Sequence, residues 1–474
     1  MKPPNILFIL TDDQGWEDLG CFGHNACFGR FPIKTPVLDK LASEGIRLTS
    51  FYANSPVCSP SRAGLMTGQY PARNGIDYAL HGSKQADDAI DQAHFLDPQV
   101  PTITSVLREA GYTTAHFGKW HLGGNCDQKP PESTGDTPHI SNFGIDHWAS
   151  GDEIFRPDTG EVAARHNSST AIVNRSIEFL DAHDPNERFY LNVWLMDPHG
   201  ILDPTPEQMD EFDYLATHRN DQDRDPGAMR VYYSVIADLD RQIGRLLAKL
   251  DELGLADDTV VVFTSDNGPA PTWDPGTSNS AAGRTGPFRG IKASLYEGGV
   301  RMPFIVRWPG HTPPDRVDDE SVVSGVDLLP TFCSLAGVEP PPDLDGQDMS
   351  AVFTGVPVER DQPLFWEYRF GSWGRHIQFS LRYAMRKGNW KLMMNADGSK
   401  SELFDLSQDL SETANCAKYE PVRVAEMSAA LMAWARGLPS WGKGDQEDYR
   451  TYPWPQPGPR PSAVDALAVA EGRT

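Results

Sequence analysis

"NILFILTDDQG", residues 5–15, decides the fold. The run Ile6 to Leu10 is wholly apolar and too short for a globular helix, so it reads as a strand covered on both faces, the pattern of a mainly parallel sheet. It ends in Asp12-Asp13, at the position where such sheets bind ligands, outside the carboxyl ends of their strands. Similar runs recur at "FYLNVWLM" (189–196), "TVVVFTS" (259–265) and "PFIVRW" (303–308). The first of these leads to His199 and the second to Asp266-Asn267-Gly268.

Helical patterns separate the strands. "TPVLDKLASEG" (35–45) opens with Thr35 as an N-cap and Pro36 in the first turn, and closes at Gly45. Val231, Val235, Leu239, Ile243, Leu246, Leu250 and Leu253 recur at three- and four-residue steps, predicting a long covering helix over 228–253. The expected class is α/β, a mainly parallel sheet between helices. The proline- and aspartate-rich stretch 338–363 reads as a connector, which divides the chain into a main domain (1–360) and a smaller subdomain (361–440). The subdomain is expected to hold a hairpin in "RYAMRKGNWKLMMN", a short strand in "SELFDL" and a helix in "PVRVAEMSAALMAWARG". Residues 441–474, proline-rich at first, read as an extended tail.

At 474 residues there is room for both units, since single cores tend to split beyond ~250–300 residues. The net charge of −24 argues against nucleic-acid or anionic-membrane binding through bulk charge, so an anionic substrate would need a local basic site. Six scattered cysteines with no C-x-x-C pair do not make a disulfide scaffold. The opening "MKPPNILFIL" is too short to span a membrane and runs into "TDDQG" without a small-residue cleavage site, so it reads as a first strand and not a signal peptide.

Two strand ends that each deliver adjacent oxygen ligands, Asp12-Asp13 and Asp266-Asn267, suggest one hard cation, calcium or magnesium before zinc. Either pair alone is equally a set of turn residues. Basic groups recur at similar positions: Lys119 and His121 in "GYTTAHFGKWHLGG" (111–124), which share a side if the backbone stays extended, His199, and Lys292 in "GPFRGIKASLYEGG" (286–299), with Arg289 nearby. A single residue of this sort is usually structural; their recurrence at strand ends favours a site.

"SPVCSPSRAGLMTG" (55–68) supplies the remaining group. Ser59-Pro60-Ser61 reads as a helix start, which aims backbone N–H groups at Cys58 and any neighbouring anion, with Arg62 one turn in. A thiolate nucleophile would fit that position, yet soft sulfur is a poor partner for a hard, oxygen-ligated cation.

Cys58-Ser59-Pro60-Ser61-Arg62, followed by "AGLMTGQYPARNG", resembles the signature of the type I sulfatases of the alkaline phosphatase superfamily, glycan sulfatases among them, whose cysteine is oxidised after synthesis to formylglycine. The resemblance continues through "ILTDDQG", "GKWHLG", "FTSDNG", "RGIKASLYEGGVRMPFIVRWPG" and "ELFDLSQDLSETAN". It implies an alkaline-phosphatase-like fold with a C-terminal antiparallel sheet. It implies that Asp12, Asp13, Asp266 and Asn267, with the formylglycine at position 58, hold Ca2+ (Mg2+ as the alternative). Arg62 and Lys119 would stabilise the formylglycine hydrate, one hydroxyl of which attacks sulfur. His199 and Lys292 would bind the sulfate and assist departure of the alcohol, Lys119 sharing in sulfate binding, and His121 would take the other hydroxyl's proton. The implied partners are a sulfated carbohydrate and, during maturation, a formylglycine-generating enzyme.

The run "DPHGILDP" departs from the family by lacking a proline two residues after His199, which bears on substrate placement. Trp148, Trp273, Trp373, Arg375 and His376 are loop candidates for substrate contact, with packing as the alternative for each. A phosphonate monoester or phosphodiester hydrolase of the same superfamily is the second reading. A silent glycan-binding relative is the third, and its usual sign, lost nucleophile or metal ligands, is not seen.

Overall fold

The protein is described by a computed structural model over residues 3–23, 33–80, 84–89, 92–123, 137–150, 165–216, 226–271, 279–368, 380–395, 397–398 and 400–439. Its main sheet contains β1 (Asn5–Thr11), β2 (Ile46–Tyr52), β3 (Tyr112–Gly118), β4 (His147–Ala149), β5 (Arg188–Trp194), β6 (Thr259–Ser265), β7 (Arg301–Arg307), β8 (Arg316–Asp318) and β9 (Val323–Ser324). The order is β4-β3-β5-β1-β6-β7-β2-β8, with β9 also on β2. β4, β3, β5, β1 and β6 run parallel, and β7 alone runs against its neighbours β6 and β2. The carboxyl ends of β3, β5, β1, β6 and β2 therefore share one edge of the sheet, and the amino end of β7 arrives there too.

β1 is apolar from Ile6 to Leu10 because both faces are covered. Ile6, Phe8 and Leu10 join Val260, Val262 and Phe332 on one side, while Leu7 and Ile9 join Leu239, Ile243 and Leu246 on the other. This is the period-two alternation of a pleated strand. The last three residues belong to the helix Pro226–Glu252, whose stripe is fully buried from Leu239 to Leu250. The stripe runs out at its ends: Val231 is half-buried and Leu253 lies past the helix and is exposed. Thr35 does not cap α1 (Pro36–Ser43) with its side chain. Asp240 of the long helix does so instead, accepting from Val37 N and Leu38 N at 3.0 and 2.9 Å.

A second sheet, β10 (Leu364–Glu367), β11 (Tyr383–Lys387), β12 (Trp390–Met394) and β13 (Ser401–Asp405), is antiparallel throughout. The expected hairpin is β11–β12, and the helix Pro421–Gly437 packs on one face through Met427, Leu431 and Ala435. The other face, with Trp366, Ala384, Met393 and Phe404, packs on Tyr52, Val57, Leu295 and Val300 of the main body. The small sheet thus backs the segments that lead into Cys58 and out of Lys292. The tail expected over 441–474 lies outside the described residues.

Gly118, at the end of β3, has φ +117°, and a Cβ there would sit 1.8 Å from the Trp194 carbonyl oxygen. The close approach lets Lys119 N donate to that oxygen at 2.9 Å. Gly118→Ala is expected to destabilise the protein by at least about 1–3 kcal/mol through backbone strain alone, read from the denaturant midpoint.

Candidate active site

Cys58 is the first residue of α2 (Cys58–Thr67), one position earlier than the helix start expected at Ser59. Val57 before it is extended, Pro60 falls in the first turn where its missing N–H costs nothing, and Gly68 in the left-handed region ends the helix. Every residue of α2 is buried. Two of its side chains reach the end of β6. Ser61 Oγ donates to the Asp266 carbonyl at 2.5 Å, and Arg62 forks onto Asp266 Oδ2 through Nε and Nη2 at 2.9 and 2.7 Å.

Arg62 is fully buried and organises the floor of the site. Its Nη1 donates to the Lys119 carbonyl at 2.7 Å, its Nη2 lies 3.6 Å from Asp12 Oδ2, and its guanidinium lies 5.1 Å from the centre of the Trp194 ring. Burial works against its charge, but Asp266 and Asp12 outweigh it and raise its pKa further. Trp194 reads as simple core in the sequence. Its role as a platform arises from the pairing of β5 with β3, which periodicity does not reveal.

The other expected residues converge on the same edge. Lys119 Nζ donates to Asp12 Oδ2 at 2.5 Å, and Lys292 Nζ donates to both Asp13 oxygens at 2.6 and 2.8 Å. Asn267 Nδ2 donates to Asp13 Oδ1 at 2.7 Å, and Asp13 N to Asp266 Oδ1 at 3.2 Å. His199 Nε2 lies 3.8 Å from Asp13 Oδ2. Cys58 is near enough to interact electrostatically with Arg62, Asp266 and Lys292. His121 departs from the expected extended geometry: its φ is +58°, and it bonds through Nε2 to the Leu80 carbonyl at 3.0 Å.

These groups fit a cation. Asp12 Oδ1 and Asn267 Oδ1 are buried without a hydrogen-bond partner among the described residues, a costly state for acceptors that a metal would relieve. Ligating atoms of Asp12, Asp13 and His199 lie within 4.8 Å of one another. Carboxylate and amide oxygens are the donors of a hard cation. Burial opposes the charge on Asp12, but Lys119, His199, Arg62 and Lys292 hold its carboxyl well below the usual range. Burial and the Asp12 charge push Asp266 up to about 8 despite Arg62. Such crowding of carboxylates calls for more positive charge between them.

Both histidines are neutral near pH 7. Burial first, then Lys119, lowers His121 to about 3, and burial with Lys292 lowers His199 to about 4. A carbonyl only accepts, so the His121 hydrogen sits on Nε2 facing Leu80, and Nδ1, buried and without a partner among the described residues, is the basic nitrogen. By the same argument His199 carries its hydrogen on Nδ1, donated to the Gly200 carbonyl at 2.7 Å, and turns Nε2 to the site.

Of the loop candidates, Trp148 lies on β4, half-buried against the core with His139 edge-on at 5.0 Å. Trp273, Trp373, Arg375 and His376 lie outside the described residues.

A family model described as Sulfatase matches residues 4–338, and one described as N-sulphoglucosamine sulphohydrolase, C-terminal, matches residues 289–434. The chain is 31% identical over 394 residues to N-acetylgalactosamine-6-sulfatase of Canis lupus familiaris, covering 77% of this chain and 68% of that protein. It is 31% identical over 451 residues to arylsulfatase A of Homo sapiens, covering 90% and 82%. The crystal structure of Ps i-CgsB in complex with k-i-k-neocarrahexaose superposes with a TM-score of 0.73 at 25% identity, covering 95% of this chain and 97% of that one. By this likeness along the chain, the protein belongs to the sulfatase family and is a sulfuric ester hydrolase.

Proposed function

We propose that the protein removes sulfate from a sulfated carbohydrate, using a formylglycine made from Cys58 by a formylglycine-generating enzyme and a Ca2+ ion held by Asp12, Asp13, Asp266, Asn267 and that residue. The observation that carries the reading is the ring of cationic groups, Arg62, Lys119 and Lys292, around buried carboxylates beside Cys58 at a helix start. The carbohydrate preference rests on relatives: one is named N-acetylgalactosamine-6-sulfatase, and one solved structure holds neocarrahexaose.

Formylglycine would supply a paired-hydroxyl oxygen nucleophile in place of a thiol, and calcium the charge that holds it and the sulfate oxygens. The remaining work falls to this chain's own side chains. Lys119 and Lys292 offer fixed positive charge to the sulfate; burial opposes the Lys292 charge, but Asp13 and then Asp12 secure it. His121, neutral and fixed through Nε2, accepts a proton at Nδ1. His199 Nε2 binds the sulfate and, once protonated beside that anion, hands its proton to the departing alcohol oxygen.

Two measurements test this. Paired kinetics on an aryl sulfate and the matching aryl phosphonate should favour the sulfate, and a large preference for the phosphorus ester would overturn the assignment. Stripping the cation with a chelator should abolish activity and lower the unfolding temperature. A cation at a hundred times its Kd stabilises the fold by about 2.7 kcal/mol. Ca2+ should restore both properties, and full activity in the stripped protein would exclude the metal reading.

A further inference from the structure

We propose that Asp197 is a positioning residue for His199, clamping the turn that carries it to the first turn of the helix Ser168–Ala182. The inference rests on the reading above, in which His199 assists departure of the alcohol.

The segment after β5 is fixed on two sides. Leu195 N donates to the Leu10 carbonyl at 2.8 Å and Asp12 N to the Asp197 carbonyl at 3.3 Å, so residues 195–197 extend the sheet alongside β1. The chain then turns, with His199 N donating to the Met196 carbonyl at 3.0 Å, and this turn brings the imidazole over Asp13. The side chain of Asp197 points the other way. Its Oδ2 accepts from Ser168 Oγ at 2.7 Å and Ser169 Oγ at 2.6 Å. Both serines are buried and Asp197 is 8% exposed.

Three physical points make this a clamp. Hydroxyl-to-carboxylate bonds of this length are the charge-assisted kind, about twice as strong as neutral ones. Ser168 and Ser169 open a 15-residue helix whose N-cap, Asn167, makes no side-chain cap bond, so the carboxylate also meets the positive end of the helix dipole. A carboxylate is costly to bury, and here it sits two residues from His199, on the strand extension bonded to Asp12. Without it, the imidazole would sit on a turn that has lost its tie to the helix, and a misplacement of about 1 Å can cost 10²-fold in rate.

The test compares the parent, Asp197→Ala, Asp197→Asn, the double variant Ser168→Ala with Ser169→Ala, and His199→Ala, each on 4-nitrophenyl sulfate and on an alkyl sulfate. A poor alkyl leaving group needs the proton from His199, a good aryl one does not, and general acid catalysis is worth about 10²–10⁴-fold. Asp197→Ala and the serine pair should lose at least about tenfold more kcat on the alkyl than on the aryl ester. Asp197→Asn should recover most of the loss, because its carbonyl oxygen still accepts from both hydroxyls. Equal losses on the two esters would mean a general structural role and overturn the inference, and so would an unchanged serine pair. If Asp197→Ala fails to fold, the serine pair, which removes only two hydroxyls, carries the comparison. Leaving-group dependence in His199→Ala without it in the clamp variants rejects the clamp alone; its absence in His199→Ala rejects the role of His199 and the clamp with it.

Discussion

Cys58→Ala is expected to lower kcat/KM for an aryl sulfate by about three orders of magnitude or more, with little change in the unfolding midpoint. Loss of a nucleophile that acts together with its base leaves only the contribution of binding and electrostatics, as nucleophile deletions elsewhere show. The fold should tolerate the change because position 58 is a helix residue, alanine is the best helix former, and a small group replaces a small group. The cationic frame stays intact, since Arg62 is held by Asp266 and the Lys119 carbonyl, and Lys292 by Asp13. A variant that keeps a tenth or more of the parent rate would place the nucleophile elsewhere.

Lys391→Met is expected to destabilise the protein by about 3–5 kcal/mol, the usual cost of leaving buried charge uncompensated. Lys391, on β12, is fully buried between Glu297 Oε1 at 2.8 Å and Glu412 Oε1 at 3.0 Å, the second an ion contact without hydrogen-bond geometry. Glu297 also accepts from Tyr52 Oη at 2.5 Å and Arg301 Nη1 at 3.1 Å, Arg386 donates to Tyr52, and Glu297 N donates to Glu412 Oε2 at 2.6 Å. The network ties the small sheet to the residues just before β7, downstream of Lys292. Denaturant unfolding checks the size of the loss. No loss in the single variant would show the network to be energetically idle.

The two carboxylates of this network give opposite pH signs. Burial opposes the charge on Glu297, but Lys391 and Arg301 hold it down to about 2. Its contribution is complete above its unfolded value of 4.5 and is lost as pH falls toward 2. Burial and Glu297 push Glu412 up to about 7 despite Lys391. Its contribution is complete below 4.5 and fades as pH rises through 7. Glu412→Gln should therefore flatten the decline in stability between pH 4.5 and 7, and an unchanged slope would contradict the assignment.

The central strands were legible because burial on both faces forces apolar runs: β1, β5, β6 and β7 each carry one. β2, "IRLTSFY", was not, because its polar residues alternate irregularly around a register shift against β7. Yet β2 is the strand that delivers the chain to Cys58. The residues proposed for the site can be named where a motif fixes them, and Asp12, Asp13, Asp266 and Asn267 come together at the ends of β1 and β6. His121 shows the limit. Its left-handed backbone and its Leu80 partner, 41 residues away, leave no local mark in the sequence. Trp194 beneath Arg62 and Lys391 between two glutamates were hidden for the same reason, since their meaning depends on partners from distant strands.

The most direct test of the account is the mass of the peptide containing Cys58, from protein produced together with an active formylglycine-generating enzyme. Exchange of the thiol for an aldehyde loses H₂S and gains oxygen, so the account predicts a peptide about 18 Da lighter than the cysteine form. A peptide that keeps its thiol mass under those conditions would contradict it.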